Sequence, residues 1–140
     1  MYYKEQRNYK VINKFLSKTY KREPSKDDLA GSDNIALKAR PSIVCNDGLK
    51  MSVQASSAHM CSPKQSFEPN SEKQYFTVEV GFPSMAIPEF LEYMDWPIEG
   101  VDPTASIYAY VPIYVVEEVI VKHGGINEKQ MNFRLFVDNL

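Results

Sequence analysis

The chain has 140 residues, 44% of them apolar and 24% charged, enough for one domain to bury a core without staples. No apolar run approaches the ~20 residues of a membrane span, and no apolar block of the secretory type follows the basic N-terminal residues. The net charge of −2 hides a split: residues 1–22 hold seven basic side chains against Glu5 alone, a net of +6, while residues 23–140 hold nine basic and 17 acidic ones, a net of −8.

Taken in chain order, residues 4–21 predict an amphipathic helix. Tyr9, Ile12, Leu16 and Tyr20 recur at helical spacing beside Phe15 and Thr19, and Arg7, Lys10, Lys14, Lys18 and Lys21 form the opposite stripe. Residues 1–22 are therefore read as a basic helical arm, 23–34 as a linker and 35–140 as an α+β body. Residues 42–46 and 49–54 read as strands paired around Asp47-Gly48, the strongest short hairpin signal. Residues 55–74, with Pro63 and Pro69, predict a long loop. Tyr75 to Val80 predicts a strand, and Phe82-Pro83-Ser84 a turn. Pro88 to Tyr93 reads as a short helix with Pro in its first position, broken after Trp96 by Pro97 and Gly100. Ser106 to Val111 predicts a strand. A helix over 112–123 follows, burying Val115, Val116, Val119 and Ile120 and stopped by Gly124-Gly125. Residues 127–138 fit a last helix capped by Asn127, or a strand through 133–137. The expected architecture is α+β: a small, mainly antiparallel sheet with helix 112–123 on one face and the N-terminal helix packed on the body or projecting from it.

Cys45, His59, Cys61 and His123 are the only soft ligands apart from methionines, and they lack the CxxC or HxxxH pairs that start zinc sites. Two cysteines do not make a disulfide scaffold. No GxSxG is present, and a Gly-Gly after a helix meets the wrong end of the dipole for phosphate. Glu117 and Glu118 are adjacent on a helix, point apart and read as a solvated face. No catalytic residue, metal or cofactor is expected.

Two binding surfaces stand out instead. Arg7, Lys10, Lys14, Lys18 and Lys21 suit an acidic partner or a phosphate backbone. Gln54, Ser56, Ser57, His59, Cys61 and Lys64, with Phe82 and Ser84, suit a contact loop or small-molecule pocket, because small polar residues replace core residues there.

The segments RPSIVCNDGLKMSVQASSAHMCSPK, YFTVEVGFPS and IYAYVPIYVVEEVIVKHGGI resemble a family of small uncharacterised proteins encoded by phages and prophages of Firmicutes. The resemblance spans about residues 39–126 and leaves the basic arm outside. In that pattern an aromatic precedes the Cys and an Arg follows the Pro; here Met60 and Lys64 stand in those places. Lys lacks the planar fork that binds an anion bidentately. The resemblance implies a counter-defence protein acting in the host cytoplasm by binding, of the anti-CRISPR kind. Its partner would be a host defence protein or that protein's nucleic-acid-binding surface. The alternatives are a sponge for a cyclic nucleotide signal, with its pocket completed in a homo-oligomer, and a zinc or thiol enzyme, which the spacings disfavour. No membrane partner is expected.

Overall fold

The computed structural model describes residues 10–17, 40–69 and 71–131. The sheet begins at the Asp47-Gly48 hairpin. Gly48 takes φ +101°, which L side chains rarely adopt, and the Asp47 carboxylate accepts from Leu49 N–H at 3.0 Å. The turn aligns β1 (Ile43–Val44) with β2 (Lys50–Gln54), Ile43 opposite Met51. β3 (Thr77–Gly81) and β4 (Ile107–Pro112) complete an antiparallel sheet in the order β1-β2-β3-β4. Val53 faces Val80, and Val80 faces Tyr108, so one face is continuously apolar. Ile43, Met51, Val53, Val78, Val80, Tyr108 and Val111 on that face are all buried.

α2 (Ile113–Lys122) contributes Ile113, Val116, Val119 and Ile120 to the same core, the turn-by-turn spacing of an amphipathic helix. It ends at His123-Gly124-Gly125, and the two glycines do more than stop it. Asn46 N–H donates to Gly125 O at 2.9 Å, Asn46 Nδ2 to Gly124 O at 2.6 Å and Asp47 N–H to His123 O at 3.2 Å. The hairpin tip thus takes up the carbonyls of the turn after the helix, while the N–H groups of His123, Gly124 and Gly125 bond the helix's own carbonyls at Val119, Ile120 and Val121. His123 Nδ1 closes the contact on Asp47 Oδ2 at 2.6 Å. Beyond it, Asn127 caps the single turn α3 (Glu128–Met131), its side chain accepting from Gln130 N–H at 3.0 Å. Residues 132–140, including the strand reading of 133–137, lie outside the described residues.

α1 (Lys10–Ser17) is packed, not projecting: Ile12, Phe15 and Leu16 are buried in the core. Among the described residues, polar clamps at three points hold it. Ile12 N–H donates to the Glu117 carboxylate at 2.7 Å. The Asn13 amide pairs with the Tyr75 main chain, donating to its O at 3.1 Å and accepting from its N–H at 2.9 Å. The Arg40 guanidinium donates to Leu16 O from Nε at 3.2 Å and Nη2 at 2.9 Å. Glu117 is therefore not the solvated residue its position beside Glu118 suggested. Docking of α1 covers it, and burial raises its carboxyl above the usual carboxylate range while the Ile12 N–H pulls the other way.

Candidate functional site

Residues 55–61 interrupt the β2–β3 ladder. Gln54 pairs with Glu79, and pairing resumes only at Ser62, opposite Thr77. The excursion does not stand away from the body. It arches over β3: Met60 N–H donates to the Glu79 carboxylate at 2.9 Å, and Met60 O accepts from Tyr110 N–H at 3.1 Å on the far neighbour, β4. Tyr110 takes φ +51° beside the β3–β4 register shift, which frees its N–H from the ladder for this bond.

Four of the six polar residues expected to make contacts from this loop face inward. Gln54 is buried, exchanging two bonds with the Arg40 main chain at 2.9 and 2.8 Å. Ser56 and His59 are buried together, Oγ to Nδ1 at 2.7 Å, while Ser56 Oγ also accepts from Ala58 N–H at 2.9 Å. The hydroxyl is thus engaged on both sides within the loop, by the imidazole and by the main chain. Burial lowers the His59 pKa, Glu79 opposing and Arg40 assisting. Cys61 is buried with its thiol donating to Ser56 O at 3.2 Å, and burial raises its pKa. These groups fasten the loop. Ser57 and Lys64 are exposed. Small residues suit the stretch because it lies flat on the sheet, with Ala55 and Cys61 inside the core.

Phe82 and Ser84 do not join this loop within the chain. Ser84 N–H donates to Lys50 O at 2.8 Å and its hydroxyl accepts from Lys50 N–H at 2.9 Å, at the start of β2, whereas the loop leaves from Gln54 at its end. Five strand residues separate them by roughly 14 Å. Of the basic stripe, Arg7, Lys18 and Lys21 lie outside the described residues, Lys10 opens the described helix, and Lys14 is half-buried. Among the described residues, no three His, Cys, Asp or Glu side chains converge as a metal ion would need.

A second surface comes together at the far end of β3. Asp95 N–H donates to Ile107 O at 2.8 Å, closing residues 95–106 into a loop whose ends touch. Ser106 Oγ donates to Asp102 O at 2.8 Å, and the Asp102 carboxylate accepts from Thr104 N–H at 2.9 Å and Thr104 Oγ1 at 2.7 Å. Tyr108 OH, rooted in the core, donates to Pro103 O at 2.6 Å. The loop is thus held from within and from below. It presents Trp96, 70% exposed, and Ile98, 53% exposed, among Asp95, Glu99 and Asp102. Leu91 stands on the 3₁₀ helix Pro88–Tyr93 that leads into it, and Phe82 donates its N–H to Ser106 O at the loop's base; both are about half exposed. Residues 74–121 contain eight acidic side chains and no Lys, Arg or His. The sequence reading missed this surface. Its signal was available: a lone Trp between an Asp and a Pro, in a stretch without a cation.

No protein-family profile, curated protein or solved structure matches the chain.

Proposed function

We propose that this protein acts by binding, as a phage- or prophage-encoded inhibitor of a host defence complex of the anti-CRISPR kind. The observation that carries the binding role is loop 95–106, a preorganised surface with an indole and an isoleucine exposed among one-signed charges. Exposing a Trp face to water forgoes most of the stabilisation its burial would give, so such a side chain points to a surface that is covered in use. Aromatic anchors of this kind supply most of the affinity in protein interfaces. The defence context is supported by the resemblance over residues 39–126 and by the opposed charge of residues 1–22 and the body.

Affinity capture from host lysate with the full chain tests the reading. Enrichment of a defence nuclease, with loss of its activity on adding the protein, is the expected result. Recovery of no defence component, together with stabilisation by a cyclic nucleotide in a thermal-shift screen, would favour the sponge instead.

A further inference from the structure

The geometry points to the kind of partner that loop 95–106 takes: a cationic protein surface, lined by Arg and Lys, of the sort that holds nucleic acid. This rests on the binding role proposed above. Glu92, Asp95, Glu99 and Asp102 gather on the loop and its approach, and among the described residues none of the four is ion-paired. Glu89, next to this group, is already matched by Lys122 at 2.7 Å. The charge is therefore left uncompensated by the described chain and available to a partner.

The exposed side chains narrow the chemistry. Solvation alone would explain carboxylates, but not an indole and an isoleucine standing between them. A guanidinium satisfies both features at once, since it pairs with carboxylates and stacks on aromatic faces. The anchoring bonds to Ile107, Asp102 and Pro103 fix the spacing of these groups before any partner arrives, which removes part of the ordering cost of association. A fixed array of acids on a Trp-bearing loop would occupy an Arg- and Lys-lined groove in place of a phosphate backbone, so binding and nucleic acid would exclude one another. The chain's own described helix is held away from this surface: α1 is clamped at Tyr75, before β3, and the loop lies beside Phe82, after it.

The full chain can be titrated with a nonaarginine peptide at low salt. Trp96, the single tryptophan, reports from inside the site, and the anisotropy of a labelled peptide gives a second readout. The expected result is saturable binding that weakens at least about tenfold as salt rises past physiological strength. Trp96→Ala is expected to weaken it by about 30-fold, and the combined E92Q, D95N, E99Q and D102N variant by more, with circular dichroism unchanged in both. Unaltered peptide binding by the combined variant, or no saturable binding, overturns the inference. Self-association of the wild type that the combined variant abolishes also overturns it, by assigning the surface to a second copy. A defence complex captured equally by wild type and combined variant leaves the binding function standing and rejects the cationic partner. Peptide binding lost in the combined variant, with no defence component captured, does the reverse.

Discussion

Replacing Arg40 with Met should loosen the end of α1 while leaving the sheet intact. The guanidinium donates to two carbonyls of the described residues: Leu16 O at 3.2 and 2.9 Å, and Ala55 O at 2.8 Å. It thereby ties the end of α1 to the first residue of the β3 arch. Hydrogen bonds from a charged donor contribute about 1.5–3 kcal/mol each net. The two donors on Leu16 share one acceptor and the side chain is only partly buried, so two links at the lower end give about 3 kcal/mol. Met keeps the packing of the aliphatic stem, and the two bonds between Gln54 and the Arg40 main chain are untouched. Lys reaches one carbonyl as a point donor and should cost about half as much. For a chain of this size the Met variant should melt roughly 10 °C lower. Urea titration gives the free energies, and amide exchange over residues 12–17 shows where the loss falls. A Met variant within about 0.5 kcal/mol of wild type, below any value expected for two charge-assisted links, would refute the clamp. A Lys variant as stable as wild type would refute the need for the fork.

Four further outcomes follow from other sites. Burial raises the Glu117 carboxyl above its ordinary value of 4.5, so the stability it contributes is complete below that value and lost as pH rises through the folded one; Glu117→Gln, which still accepts from Ile12 N–H, should remove this loss, and parallel unfolding curves at all pH values would contradict it. Gly48→Ala meets no atom within 4 Å and should cost about 1 kcal/mol for its positive φ alone. Gly124→Ala adds a Cβ 3.1 Å from Asn46 Cβ to the same strain, so it should cost about 2 kcal/mol and loosen the hairpin tip, as unfolding titration and the Asp47–His123 contact by NMR would show. Cys45, its thiol pushed up to about 11 by burial, and Cys61 should react with a thiol reagent only as fast as the protein opens; prompt labelling of either would contradict their placement.

Local chemistry made much of this fold legible. Asp47-Gly48, Pro88, the valine spacing of α2 and Gly124-Gly125 each act within a few residues, and the hairpin, the 3₁₀ helix, α2 and its end appear where those signals place them. What escaped was set by contacts distant in sequence. Arg40 reaches Leu16 across 24 positions, and Ile12 finds Glu117 across 105; neither has a local signature. The polar stretch 54–64 reads as a surface loop because its small residues look unsuited to a core. In fact they let the chain lie on β3, with Ser56, His59 and Cys61 satisfying one another beneath it. The acidic loop was overlooked for the opposite reason: its segment ends, Asp95 and Ile107, are joined only in the fold.

Loop 95–106 is the surface by which we propose this protein engages a partner. Acrylamide quenching of Trp96 measures it directly, because the only indole in the chain sits on that loop with 70% of its surface in water. With a captured defence complex added in excess, quenching should fall several-fold, as expected for an aromatic anchor that becomes desolvated. A Trp96 equally accessible in the free protein and in the complex would contradict the account.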